Sequence, residues 1–143
     1  MNAAKIVLIE DNPADVFLVE MALKENGILY EMTRFQNGEE AVASLCAPDG
    51  PSTKTLHPDL ILLDLNTPKS DGFEVLEKLR QAPHLAGVPI GIVTSSQAES
   101  DKQRVGISGG IRYIEKPSQL DEFLTTVGQA VKEMLSRDSP LPL

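Results

Sequence analysis

The chain has 143 residues, 41% hydrophobic and 24% charged, a globular composition that excludes disordered, collagen-like and low-complexity classes. Its 21 acidic against 13 basic residues give a net charge of −8, which argues against nucleic acid as a partner. A single cysteine, Cys46, and two histidines, His57 and His84, exclude a disulfide framework and a Cys/His-rich metal site.

The first apolar run, Ile6-Val7-Leu8-Ile9, is continuous rather than alternating, as in a strand buried on both faces of a parallel sheet. Asn12-Pro13-Ala14-Asp15 reads as a break, and Val16 to Lys24 as a helix that Gly27 stops. A weaker, more polar run from Tyr30 to Phe35 suits an edge strand. Asn37-Gly38 makes a turn, and Glu39 to Leu45 a short helix. Pro48 to His57 is a polar loop, long for a helix-to-strand connection.

The third run, Leu60 to Leu63, ends in Asp64. Pro68, Asp71 and Gly72 turn the chain, and Phe73, Leu76 and Leu79 follow at helical spacing until Pro83. The fourth run, Ile90 to Val93, ends in Thr94-Ser95-Ser96, and Gly91 within it predicts a loosened strand. Gln97 to Arg104 suits a helix with little apolar face, punctuated by Gly106, Gly109 and Gly110. The fifth run, Ile111 to Ile114, ends in Glu115-Lys116-Pro117. Ser118 is expected to cap a long helix, with Asp121 completing a capping box. Leu120, Phe123, Val127, Val131 and Met134 form its apolar stripe, and Ser136 to Leu143 reads as a frayed tail.

This is α/β alternation, (βα)5, in one domain over residues 1–143 with its core at about 4–135. It implies a doubly wound, five-stranded parallel sheet with helices on both faces. No apolar run approaches the ~18 residues of a membrane span, and no signal peptide opens the chain, so a cytoplasmic protein is expected.

The strand ends carry the chemistry. Glu10-Asp11, Asp64, Thr94 and Lys116 each follow a strand, and in an open parallel sheet these carboxyl ends share one edge where ligands bind. Clustered carboxylates repel one another, and a hard divalent cation such as Mg²⁺ relieves that. A lysine suits a phosphoryl group as a point charge, and a threonine adds a hydroxyl donor. The set reads as phosphoryl chemistry with an aspartate nucleophile.

Four motifs stand in order: Ile9-Glu10-Asp11-Asn12; Leu63-Asp64-Leu65-Asn66-Thr67-Pro68 with Asp71-Gly72; Thr94-Ser95-Ser96; and Tyr113-Ile114-Glu115-Lys116-Pro117. On these the chain resembles the receiver domain of two-component response regulators. The resemblance implies a flavodoxin-like fold with strand order 2-1-3-4-5. It implies Asp64 as phosphoacceptor from a histidine kinase, with Mg²⁺ held by Asp11 as principal ligand, by Asp64 and by the backbone carbonyl of Asn66, and with Glu10 at the metal site holding a metal-bound water. Lys116 would pair with the phosphoryl oxygens. Thr94 would swing inward to bind them, and Tyr113 would follow as an aromatic switch. The Lys116–Pro117 bond would be cis.

The long Pro48–His57 loop and the Asp64 stretch further resemble single-domain regulators paired with phytochrome-type histidine kinases. Such proteins often dimerise through the face made by the polar segment after strand four, strand five and the last helix, so a homodimer is expected there. Output would be a changed protein–protein surface, with no turnover enzyme and no membrane or nucleic-acid partner. A phosphorylation-independent adaptor is the alternative. A Mg²⁺-dependent phosphohydrolase is disfavoured, because such enzymes of the haloacid-dehalogenase type need a second acid where Asn66 stands. A flavodoxin is disfavoured by the acidic loop Glu10-Asp11-Asn12-Pro13, which would repel an FMN phosphate. No role is assigned to Cys46, His57 or His84.

Overall fold

The structure, a computed structural model, describes residues 3–46, 57–65, 71–95 and 111–136. The Pro48–Leu56 stretch, Asn66, the polar segment Gln97–Arg104, the glycines Gly106, Gly109 and Gly110, and residues 137–143 lie outside the described residues.

Five strands form one parallel sheet: β1 (Ala4–Ile9), β2 (Tyr30–Phe35), β3 (Leu60–Leu63), β4 (Ile90–Thr94) and β5 (Ile111–Glu115). Their order is β2-β1-β3-β4-β5, so the chain moves to one side of β1 and then returns past it. Register places Ile9 beside Phe35 and Leu63, and Thr94 beside Glu115. The carboxyl ends are thereby level along one edge.

The helices are α1 (Pro13–Glu25), α2 (Gly38–Leu45), α3 (Gly72–Gln81) and α4 (Leu120–Ser136), with a 3-10 turn at Pro83–Leu85. Alternate side chains of the central strands serve two cores. Val7, Ile9, Ile61, Leu63, Ile90 and Ile92 pack with α2 and α3. Ile6, Leu8, Leu60, Leu62, Val93 and Ile114 pack with α1 and α4. Burial on both faces is why β1, β3 and β4 read as continuous apolar runs.

Several local expectations change. Helix α1 begins at Pro13, not Val16: the Asn12 side chain accepts from the Ala14 amide at 2.9 Å, and Pro13 suits the first helical position because it lacks an N–H. At the other end of the chain, α4 starts one residue later than a Ser118 cap requires. Phe123 N–H donates to the Gln119 carbonyl, which makes Gln119 the cap position and dissolves the expected Ser118–Asp121 box. Leu120 is 52% exposed and leaves the stripe, whose buried members are Phe123, Val127, Gly128, Ala130, Val131 and Met134. The same helix extends through Ser136, the first residue of the expected tail.

No cis peptide bond occurs among the described residues, so Lys116–Pro117 is trans, the isomer that X–Pro bonds intrinsically favour. Nor does Gly91 mark a loose strand. It is buried in β4, and an added Cβ would stand 2.9 Å from Leu62 Cδ2 and from Met134 Cε. The missing side chain is space filled by a methionine of α4.

Helices α1 and α4 meet through Asn26, the C-cap of α1. Its amide donates to the Ala22 carbonyl at 2.7 Å and to the Leu124 carbonyl at 3.0 Å, beside Gly128.

Candidate functional site

Glu10 follows β1 and is 2% exposed; Asp64 follows β3 and is 7% exposed. Lys116 follows β5, and its backbone N–H donates to the Thr94 carbonyl at 2.8 Å, extending the sheet. These anchors aim the ammonium back along the sheet edge. Its Nζ donates to Glu10 Oε1 at 2.8 Å, Asp15 Oδ2 at 2.8 Å and Asp64 Oδ2 at 3.0 Å. Thr94 is completely buried at the end of β4. Tyr113 lies beside Ile92 in register and packs against the core under α2 and α3.

The backbone at Leu65, next to Asp64, is set by a close approach. Gly72 opens α3, and a Cβ there would lie 2.7 Å from Leu65 Cα and 2.8 Å from its carbonyl oxygen. Asp71 caps the same helix by accepting from the Phe73 amide at 2.9 Å. The Asp71-Gly72 pair therefore seats the backbone just past Asp64.

A second clamp comes from β2. Arg34 donates through Nε to the Glu10 carbonyl at 3.1 Å and through Nη2 to the Asp11 carbonyl at 3.0 Å. Asp11 itself is exposed.

Burial pushes the Glu10 carboxyl up to about 7, against the pull of the Lys116 hydrogen bond and charge. Burial works against the Lys116 ammonium, but hydrogen bonds to Asp15 and Glu10 and the charge of Asp64 outweigh it and raise its pKa. The lysine stays charged and holds the acids together.

Carboxylate oxygens of Glu10, Asp15 and Asp64 all lie within 4.8 Å of one another. Oxygen donors are what a small hard cation prefers, and this donor set fits a divalent ion. Asp15 and Arg34 are the members that sequence reasoning missed. The signal for Asp15 was the Asn-Pro pair before it: a capping residue followed by proline starts a helix and places Asp15 in its first turn.

The response regulator receiver domain model matches residues 6–128. The chain belongs to this family. Response regulator Rcp1 of Synechocystis sp. is 42% identical over 96 residues, which is 67% of this chain and 65%, just under two thirds, of Rcp1. Among solved structures, that of a phosphorylated cyanobacterial phytochrome response regulator, RcpA, superposes with a TM-score of 0.81 at 33% identity. It covers 99% of this receiver and 100% of RcpA. The Mn²⁺-bound form of Rcp1 superposes with a TM-score of 0.80 at 33% identity, covering 98% and 99% of the two chains. Among the described residues no helix is long and apolar enough to cross a membrane.

Proposed function

We infer that this receiver takes a phosphoryl group onto Asp64 from a phosphohistidine of a sensor histidine kinase. The observation that carries the reading is the Lys116 ammonium bonded to both Asp64 and Glu10 at the carboxyl edge of the sheet. In the transfer an Asp64 carboxylate oxygen forms a bond to phosphorus. The phosphorus–nitrogen bond to the donor imidazole breaks, and its electron pair stays on the ring nitrogen. Lys116 neutralises charge on the phosphoryl oxygens, and Thr94 donates its hydroxyl to them after moving inward. Glu10, Asp11 and Asp64, with the carbonyl of Asn66, would hold Mg²⁺. A bound divalent cation supplies charge neutralisation for acids and phosphoryl oxygens alike.

Phosphorylation adds roughly two negative charges at neutral pH. Thr94 responds, Tyr113 follows, and the surface made by the segment after β4, by β5 and by α4 changes. On this reading the chain is one receiver domain over residues 1–143, working in the cytoplasm as a signalling switch and not as a turnover enzyme. A homodimer forms through that surface. Likeness to Rcp1 and RcpA supports a phytochrome-type kinase as the partner.

The deciding experiment is intact mass after incubation with Mg²⁺ and acetyl phosphate, for the wild type and Asp64→Ala. One added phosphoryl group, absent without Mg²⁺ and absent in the variant, is expected. An equal gain in Asp64→Ala would sink the assignment.

A further inference from the structure

An ammonium has three N–H donors. In this receiver all three of Lys116's have carboxylate acceptors: Glu10 at 2.8 Å, Asp15 at 2.8 Å and Asp64 at 3.0 Å. Glu10 and Asp64 belong to the phosphoryl site proposed above, on which this inference rests. Asp15 lies close enough to join them as a metal donor but is not among the ligands of the function proposed above. It projects from the first turn of α1, and its side chain is 25% exposed against 2% for Glu10.

We propose that Asp15 is a positioning residue that restrains Lys116, competing for its ammonium with the phosphoryl oxygens that must bind there. When a phosphoryl group arrives, Lys116 has to surrender at least one carboxylate. Glu10 and Asp64 would be engaged by a bound divalent cation on this reading, which leaves them less free to hold the ammonium. Asp15 is then the carboxylate that still holds the ammonium. It also sets a fixed negative charge beside an anion site, and like charges at that range oppose binding. Asp15 therefore keeps the unphosphorylated state favoured and sets how readily the switch is thrown.

Asparagine keeps the size of Asp15 and removes its charge; glutamate keeps the charge. The test is titration with beryllofluoride at saturating Mg²⁺, followed by fluorine NMR, for wild type, Asp15→Asn and Asp15→Glu. Asp15→Asn should bind about threefold to tenfold more tightly, the scale of one partly exposed ion pair and one nearby charge. It should also gain the acetyl phosphate group faster by a similar factor. Asp15→Glu should stay close to wild type. A residue that merely supports α1 would weaken binding when altered. Unchanged or weaker binding in Asp15→Asn overturns the proposal, as does equal tightening in Asp15→Glu. A wild type that binds no beryllofluoride and takes no phosphoryl group instead overturns the receiver reading, and this proposal with it.

Discussion

The Asn26 amide occupies the place where a side chain at position 128 would begin: a Cβ on Gly128 would stand 1.8 Å from Asn26 Nδ2. Two helices far apart in sequence meet there, joined by the Asn26 bond to the Leu124 carbonyl. Gly128→Ala should therefore cost about 2 kcal/mol or more, as overpacking and a displaced hydrogen-bonding amide combine. In an Asn26→Ala background the clash is gone, and the helix propensity of alanine should make the same substitution stabilising by up to ~1 kcal/mol. Urea melts of the four proteins in this double-mutant cycle test the reversal of sign.

Gly72→Ala should strike the site without touching a charged group. The neighbour of its Cβ is Leu65 backbone, which cannot rotate away. The Leu65 backbone next to Asp64 must shift, so beryllofluoride affinity should fall at least about tenfold while the cost in stability stays near 1–3 kcal/mol. Parallel titration and urea unfolding would separate the two effects.

Glu10 gives a pH dependence of definite sign. Its pKa is about 7 in the folded chain, above the ordinary 4.5. Between those values the folded state holds a proton that the unfolded state has lost. Its contribution to stability is therefore complete below 4.5 and disappears as pH rises through about 7. Without divalent cations, the wild type should lose stability over this window relative to Glu10→Gln. Saturating Mg²⁺ should flatten the difference by selecting the carboxylate. Urea midpoints against pH would show both.

Lys116→Met removes the cation shared by Glu10, Asp15 and Asp64. Uncompensated buried charge should cost about 3–5 kcal/mol at neutral pH. Mg²⁺ should recover more stability in this variant than in wild type, because no ammonium competes for the carboxylates. Thermal unfolding across a Mg²⁺ series measures it, and equal recovery in both proteins would contradict the shared-counterion arrangement.

Tyr30 donates its hydroxyl to Glu20 at 2.8 Å. Burial, then the hydrogen bond and charge of Glu20, raises its pKa from 10.0 to about 12. The stability it contributes is present below 10.0 and is lost as pH climbs to about 12. Ultraviolet titration of wild type against Tyr30→Phe should place the phenol there, and Glu20→Gln should bring it back toward 10.0.

The sheet was legible because parallel strands buried on both faces leave uninterrupted apolar runs, and Ile6–Ile9 and Leu60–Leu63 have no other simple meaning. Glu10, Asp64, Thr94 and Lys116 were legible because each ends such a run. Asp15 was hidden by reading Asn12-Pro13 as an interruption when the pair starts α1. Arg34 gave no signal, since its contacts are to the carbonyls of Glu10 and Asp11 on another strand's loop. Gly91 was misread because an isolated glycine shows nothing of the Met134 side chain that fills its space.

The ion cluster around Lys116 joins positions 106, 101 and 52 residues apart. No fragment that lacks β1 or β5 can assemble it, and β5 reaches β1 only through β3 and β4. Contacts of such long range form late, since loop closure comes before their reward. The cluster is thus a certificate of completed folding: a chain still being synthesised, clipped or trapped part-way has the acids but not the ammonium that gathers them.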